Sequence, residues 1–108
     1  MKNNLIFFLC LTCISFSNHH TDSVLSVGFW NVENLFDLEN DPDKRDDEFA
    51  LNGRKNVTKE IYDLKIKNTA EVLYDLNVDV LGLCEVENRK VLNDLNNSYH
   101  SRNYSIIH

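Results

Sequence analysis

Two short clusters in this sequence gather oxygen-bearing side chains directly behind apolar runs. The first is Trp30-Asn31-Val32-Glu33-Asn34-Leu35-Phe36-Asp37, and the second is Leu81-Gly82-Leu83-Cys84-Glu85-Val86-Glu87-Asn88. Carboxylate and amide oxygens are what Mg²⁺ prefers, and that ion is ordinarily held by only one or two protein carboxylates, leaving positions for water and phosphate. Asn31, Glu33 and Glu85 meet that requirement. A metal so held neutralises phosphate oxygens and the charge developing on a leaving oxygen, while a separate base prepares the attacking water. Spacing alone also allows plainer duties. Asn31, Asn34 and Asn88 can each close an Asx-type turn, and Asp37 and Glu87 read as solvated loop carboxylates.

Parallel pairing of the strands ahead of the two clusters would bring them together. Val24 to Val32 is β-branched and aromatic with little charge, which predicts a strand buried on both faces. Val78 to Cys84 is a second apolar run of strand length. Between them, Thr58 is placed to cap a helix, with Glu60 in its first turn, and Tyr62, Ile66, Thr69, Ala70, Leu73 and Leu76 repeat at spacings of three and four. The spacing predicts a helix over Lys59 to Leu76, ended by Asn77, with Lys65, Lys67, Asn68, Glu71 and Asp75 on its solvent side. Strand, helix and strand in close succession predict a right-handed crossover with parallel strands. Both clusters then leave the same sheet edge, at the carboxyl ends where open α/β proteins build their sites. Strict alternation would put Asn31 and Glu33 on one side of the first strand, and Glu85 and Glu87 on one side of the second. Asp37 to Thr58 contains the only proline, Pro42, and predicts a long loop whose carboxylates at Asp41, Asp43, Asp46, Asp47 and Glu48 are solvated. Lys90 to Leu95 predicts a short helix, and Tyr104 to Ile107 the start of a third strand.

The bulk properties set limits on this reading. A chain of 108 residues suits one small domain. Its first 17 residues have the layout of a secretory signal: basic Lys2, an apolar run from Leu5 to Ile14, then Ser15 and Ser17 around Phe16, with cleavage expected before Asn18. That leaves 18–108 as the folded part. The apolar run is about half the roughly 20 residues that a membrane-spanning helix needs, and Cys13 lacks the small residues that would make a lipoprotein site. Cys10 and Cys13 depart with the signal, so no internal disulfide is expected, and Cys84 reads as a small buried hydrophobe. The net charge is −6, and loss of Lys2 takes it to −7. A passive polyanion binder shows a basic face, so the charge argues against that class unless a bound divalent metal supplies local positive charge.

In order along the chain come Phe29-Trp30-Asn31-Val32-Glu33-Asn34-Leu35-Phe36-Asp37, Asp46-Asp47-Glu48-Phe49, Gly53-x-Lys55-Asn56, Lys65-x-Lys67-Asn68-x-Ala70 and Leu81-Gly82-Leu83-Cys84-Glu85-Val86-Glu87-Asn88-Arg89. In these stretches the chain resembles the endonuclease/exonuclease/phosphatase superfamily, the group that includes deoxyribonuclease I and the apurinic endonucleases, and within it the exported bacterial members. The resemblance implies an α/β fold, the four-layered αββα sandwich, of which this chain would supply the amino-terminal part. It implies that Glu85 is the principal carboxylate for Mg²⁺, with Mn²⁺ as the alternative ion. Asn31 would bind phosphate or metal, Glu33 would stand near the metal and often act through water, and Glu87 and Asn88 would have no direct role. Val57 departs from the aromatic residue expected in many exported relatives. The histidines, aspartate and asparagine that complete the family's site have no matching motif after Arg89, where His100 and His108 read as surface or strand-end residues. The expectation is therefore an exported Mg²⁺-dependent phosphoester hydrolase, periplasmic or extracellular. It would act as a nuclease, phosphodiesterase or phosphatase, with nucleic acid among its candidate substrates, and be truncated here and inactive alone. The alternative is a non-catalytic exported protein that binds a cation or a protein partner.

Overall fold

The computed structural model describes residues 23–108, and the expected signal peptide, with Cys10 and Cys13, and the expected cleavage point before Asn18 lie outside the described residues. Four elements follow one another: β1 (Val27–Leu35), α1 (Lys59–Leu76), β2 (Val80–Val86) and α2 (Arg89–Ser98). The two strands pair in parallel, with Val27 opposite Val80 and Asn31 opposite Cys84. This is the parallel pairing the sequence predicts.

α1 occupies the expected residues because its local signals agree. The Thr58 hydroxyl accepts from the Ile61 amide, and Asn77 closes the helix in the left-handed conformation while donating its N–H to the Leu73 carbonyl. Tyr62, Ile66, Thr69, Ala70 and Leu73 are the buried stripe, whereas Leu76, one turn past the contact, is largely exposed. α2 runs further than expected at both ends, since the Asn88 side chain caps it by accepting from the Val91 amide. Both helices pack on the same face of the sheet, and the core gathers Val32, Leu35, Tyr62, Ile66, Ala70, Leu73, Val91, Leu95 and Tyr99.

Among the described residues the helices lie on one face only, which makes the strands differ from the fully buried elements expected. Trp30 and Val32 turn toward the core, while Val27 and Phe29 lie open at 68% and 75% exposure. Both strands also begin later than their apolar runs, and β2 continues through Glu85 to Val86. Cys84 is half-buried rather than enclosed. Tyr104 to Ile107 is not a third strand. Its backbone is engaged by side chains instead of a ladder: the Tyr104 amide donates to Asn96 Oδ1, and Arg89 and Asn96 donate to the carbonyls of Ile106 and Tyr104.

Between β1 and α1 the chain is a compact series of turns. The Leu51 amide returns to the Leu38 carbonyl, and Phe49 stacks on Phe36 with ring centroids 4.3 Å apart. Gly53 is required here, because a Cβ would sit 2.2 Å from the Asp47 carbonyl oxygen. At the other end of the sheet, Asp79 accepts from the Ser26 hydroxyl and amide through one oxygen and from Arg102 through the other. The Ser26 hydroxyl, and after it the Arg102 guanidinium, hold this carboxyl well below the usual carboxylate range.

Packing and charge each make a forecast. In urea denaturation Leu35→Ala should cost about 2–5 kcal/mol as a core truncation, and Thr58→Ala about 0.5–2 kcal/mol as a lost cap. Because the pKa of Asp79 is depressed on folding, its contribution is present above 3.8 and lost as the pH falls below that value. Acid titration of stability should therefore be flatter in Asp79→Asn than in the wild type.

Candidate active site

The two clusters meet at the carboxyl ends of the strands, where the register breaks. Asn31 pairs with Cys84, but the next pair is Leu35 with Val86, so Val32, Glu33 and Asn34 stand opposite Glu85 alone. β1 takes up the extra length by turning Glu33 and Asn34 into the left-handed region, at φ 54° and 58°, and Glu85 answers with φ 61°. For non-glycine residues each such conformation costs roughly 1–2 kcal/mol, and it persists only where the surroundings determine it.

Those surroundings are specific. Asn31 Oδ1 accepts from the Glu33 amide at 2.8 Å, an Asx turn, while its Nδ2 donates to Glu85 Oε1 at 2.7 Å. The Asn34 amide donates to the second oxygen, Oε2, at 3.1 Å. Glu85 is thereby held through both oxygens, and each keeps a lone pair for another partner. Lys65 comes across from α1 and donates to the carbonyls of Glu33 and of Asn34, the latter at 3.0 Å. Burial lowers the Lys65 pKa, against the opposing pull of Glu33 and Glu85.

The structure brings the side chains of Asn31, Glu85 and Lys65 together around the backbone of Glu33 and Asn34. It changes how Asn31 and Glu33 meet, since the bulge, not strand alternation, sets their relation. The Asx-turn reading of Asn31 and its place beside Glu85 hold at once, because the amide has two ends. Lys65, expected on the solvent side of its helix, lies instead on the flank of the buried stripe, beside Ile66, with a stem long enough to reach β1. Periodicity cannot assign it, and its presence in the Lys65-x-Lys67-Asn68-x-Ala70 stretch is the available signal. Among the described residues no group of three or more histidine, cysteine, aspartate or glutamate side chains is arranged to hold a metal. Two carboxylates and one amide oxygen are nevertheless within the small protein donor set that Mg²⁺ takes.

Beside this site lies a second acidic group that composition alone places in solvent. Asp37 and Asp46 are in fact 4% and 2% exposed. Asp37 accepts from the Glu39 amide and the Asn88 side chain, stands 3.6 Å from Lys90 Nζ, and donates its own amide to Glu87 Oε2. Asp46 accepts from the Asp41 amide through Oδ2, while Oδ1 has no partner. Burial, reinforced by Asp46, raises the pKa of Glu87. Main-chain and amide N–H donors allow the Asp37 carboxyl to leave water and tie the loop onto the end of β2, while Asp46 is held through Oδ2 alone. His100 and His108 are exposed as expected, and His108 shares with Glu85 a groove of about 800 Å³ lined also by Leu83 and Tyr104.

The model of the Endonuclease/Exonuclease/phosphatase family matches residues 26–108, more than half of the chain. No curated protein and no solved structure matches it. For the acidic group, Asp46→Asn should lower the Glu87 pKa toward its ordinary 4.5 by removing a neighbouring negative charge. Carboxyl ¹³C titration of the two proteins checks this, and an unmoved Glu87 would leave burial and the Asp37 charge as the causes of its shift.

Proposed function

The chain belongs to the endonuclease/exonuclease/phosphatase family, and on that premise we propose that the protein is an exported, Mg²⁺-dependent phosphodiester hydrolase centred on Glu85. Family membership carries hydrolase chemistry of the nuclease and phosphatase kind. The finer reading is supported by the fork that presents Glu85 at the sheet edge, with Asn31 on one oxygen and the Asn34 amide on the other.

In this reading Glu85 and Glu33 would hold the ion, which would supply positive charge to the phosphate oxygens and the leaving oxygen. Asn31 fixes the carboxylate and keeps a lone pair of Oδ1 for the ion or its water. Lys65 adds a fixed positive charge beside the site. Mn²⁺ would substitute for Mg²⁺ on the same oxygen donors. The acidic balance of the chain favours substrates other than passively bound duplex DNA, with the ion making up the local charge. The bare sheet face around Val27 and Phe29 suits the inner layer of the family's αββα sandwich. Among the described residues no helix is long and apolar enough to cross a membrane.

Hydrolysis of a chromogenic phosphodiester and of plasmid DNA by the intact protein tests this. Activity should require Mg²⁺ or Mn²⁺, vanish with chelator and with Glu85→Ala, and fall on Asn31→Ala with metal affinity weakened about 10–100-fold. Turnover that persists in chelator, or in Glu85→Ala, would contradict the proposal. Cation binding without any hydrolysis would favour a non-catalytic role.

A further inference from the structure

The fork on Glu85 depends on a backbone that the local sequence does not favour. Glu33 and Asn34 are consecutive, neither is glycine, and both are left-handed. If that turn relaxed, the Asn34 amide would swing away from Glu85 Oε2, and the Glu33 amide would leave Asn31 Oδ1, freeing the asparagine that holds Oε1. The turn therefore needs a clamp on its carbonyl side, since its amides are already committed. Lys65 is placed to be that clamp. Its ammonium has three donors and no acceptor, and two of them go to the carbonyls of the two strained residues. It comes from α1, whose neighbouring Ile66 is 5% exposed and fixed in the core, so the ammonium is carried on a rigid element. Among the described residues Lys67, two residues on, pairs with Glu71 on the helix surface.

We propose that Lys65 is a positioning residue of the metal site: by clamping the Glu33 and Asn34 carbonyls it keeps Glu85 oriented for the cation. This rests on the reading of Glu85 as a metal ligand. A role as a mere neighbouring charge makes the opposite forecast, because removing a positive charge beside Glu33 and Glu85 strengthens attraction for a cation. The sign of the change therefore separates the two.

The test is Mn²⁺ binding to the full-length chain, read as free Mn²⁺ by electron paramagnetic resonance, with circular dichroism as a check on folding. Lys65→Met should weaken binding about tenfold or more, while Lys67→Met should leave it unchanged. Glycine adopts positive φ without strain and keeps the amide that reaches Glu85, so adding Asn34→Gly to Lys65→Met should recover most of the loss. Tighter or unchanged binding in Lys65→Met, or no recovery with Asn34→Gly, would overturn the proposal. If Lys65→Met does not fold, Lys65→Gln, with and without Asn34→Gly, replaces it: weakened binding that Asn34→Gly restores is expected, and any other pattern overturns the proposal. Wild-type protein that binds no Mn²⁺ would instead remove the metal reading of Glu85, and this proposal with it.

Discussion

The structure turns on a mismatch of length between two parallel strands. Three residues of β1, Val32 to Asn34, stand where β2 offers only Glu85. A ladder in register would have pointed Glu33 and Asn34 to opposite faces and left Glu85 to find its own rotamer. The bulge instead aims a backbone amide and a side-chain amide at one carboxylate, and it does so at the end of the sheet where the chain leaves both strands. Bulges of this kind re-aim side chains next to functional sites, and the strain they hold must be offset by contacts around them. Here the contacts come from three directions: Asn31 within β1, Glu85 from β2 and Lys65 from α1.

Everything else serves to hold those three directions fixed. The buried stripe of α1 sets the height from which Lys65 reaches down, and Leu35, fully buried at the far side of the bulge, anchors β1 where its register resumes. The loop after β1 is fastened to the end of β2 by Asp37, Asn88 and Glu87. Acidic residues next to the site thus divide into two groups with opposite tasks. Glu33 and Glu85 remain exposed, whereas Asp37 and Asp46 are buried and fasten the loop through N–H groups that donate to Asp37 and to one oxygen of Asp46.

Much of this arrangement is legible in the sequence, for identifiable reasons. α1 is readable to the residue because cap, stripe and stop all agree, and parallel pairing follows from the strand, helix, strand order. Asn31, Glu33 and Glu85 are readable as a group because pairing places them at one edge. The bulge is not readable, since alternation assumes a constant register and nothing in Val32-Glu33-Asn34 announces positive φ except the asparagine. Lys65 is misplaced by a helical wheel, which assigns faces and ignores the length of a lysine stem. Asp37 and Asp46 are misplaced by composition, because an acidic loop reads as solvated until its N–H donors are located in space. Burial of both faces of β1 is the expectation from composition, and the open side around Phe29 shows that such strands can be apolar on a face these residues leave uncovered.

We propose that the oriented Glu85 carboxylate, and not the neighbouring buried acids, receives a divalent cation. Titrating Mg²⁺ into isotope-labelled protein and following amide shifts tests it directly. The Asn31 side-chain amide and the backbone amides of Asn34 and Glu85 should move together and saturably, while those of Asp37, Asp46 and Glu87 stay in place. Movement confined to the Asp37, Asp46 and Glu87 amides, or none at any of these positions, would contradict it.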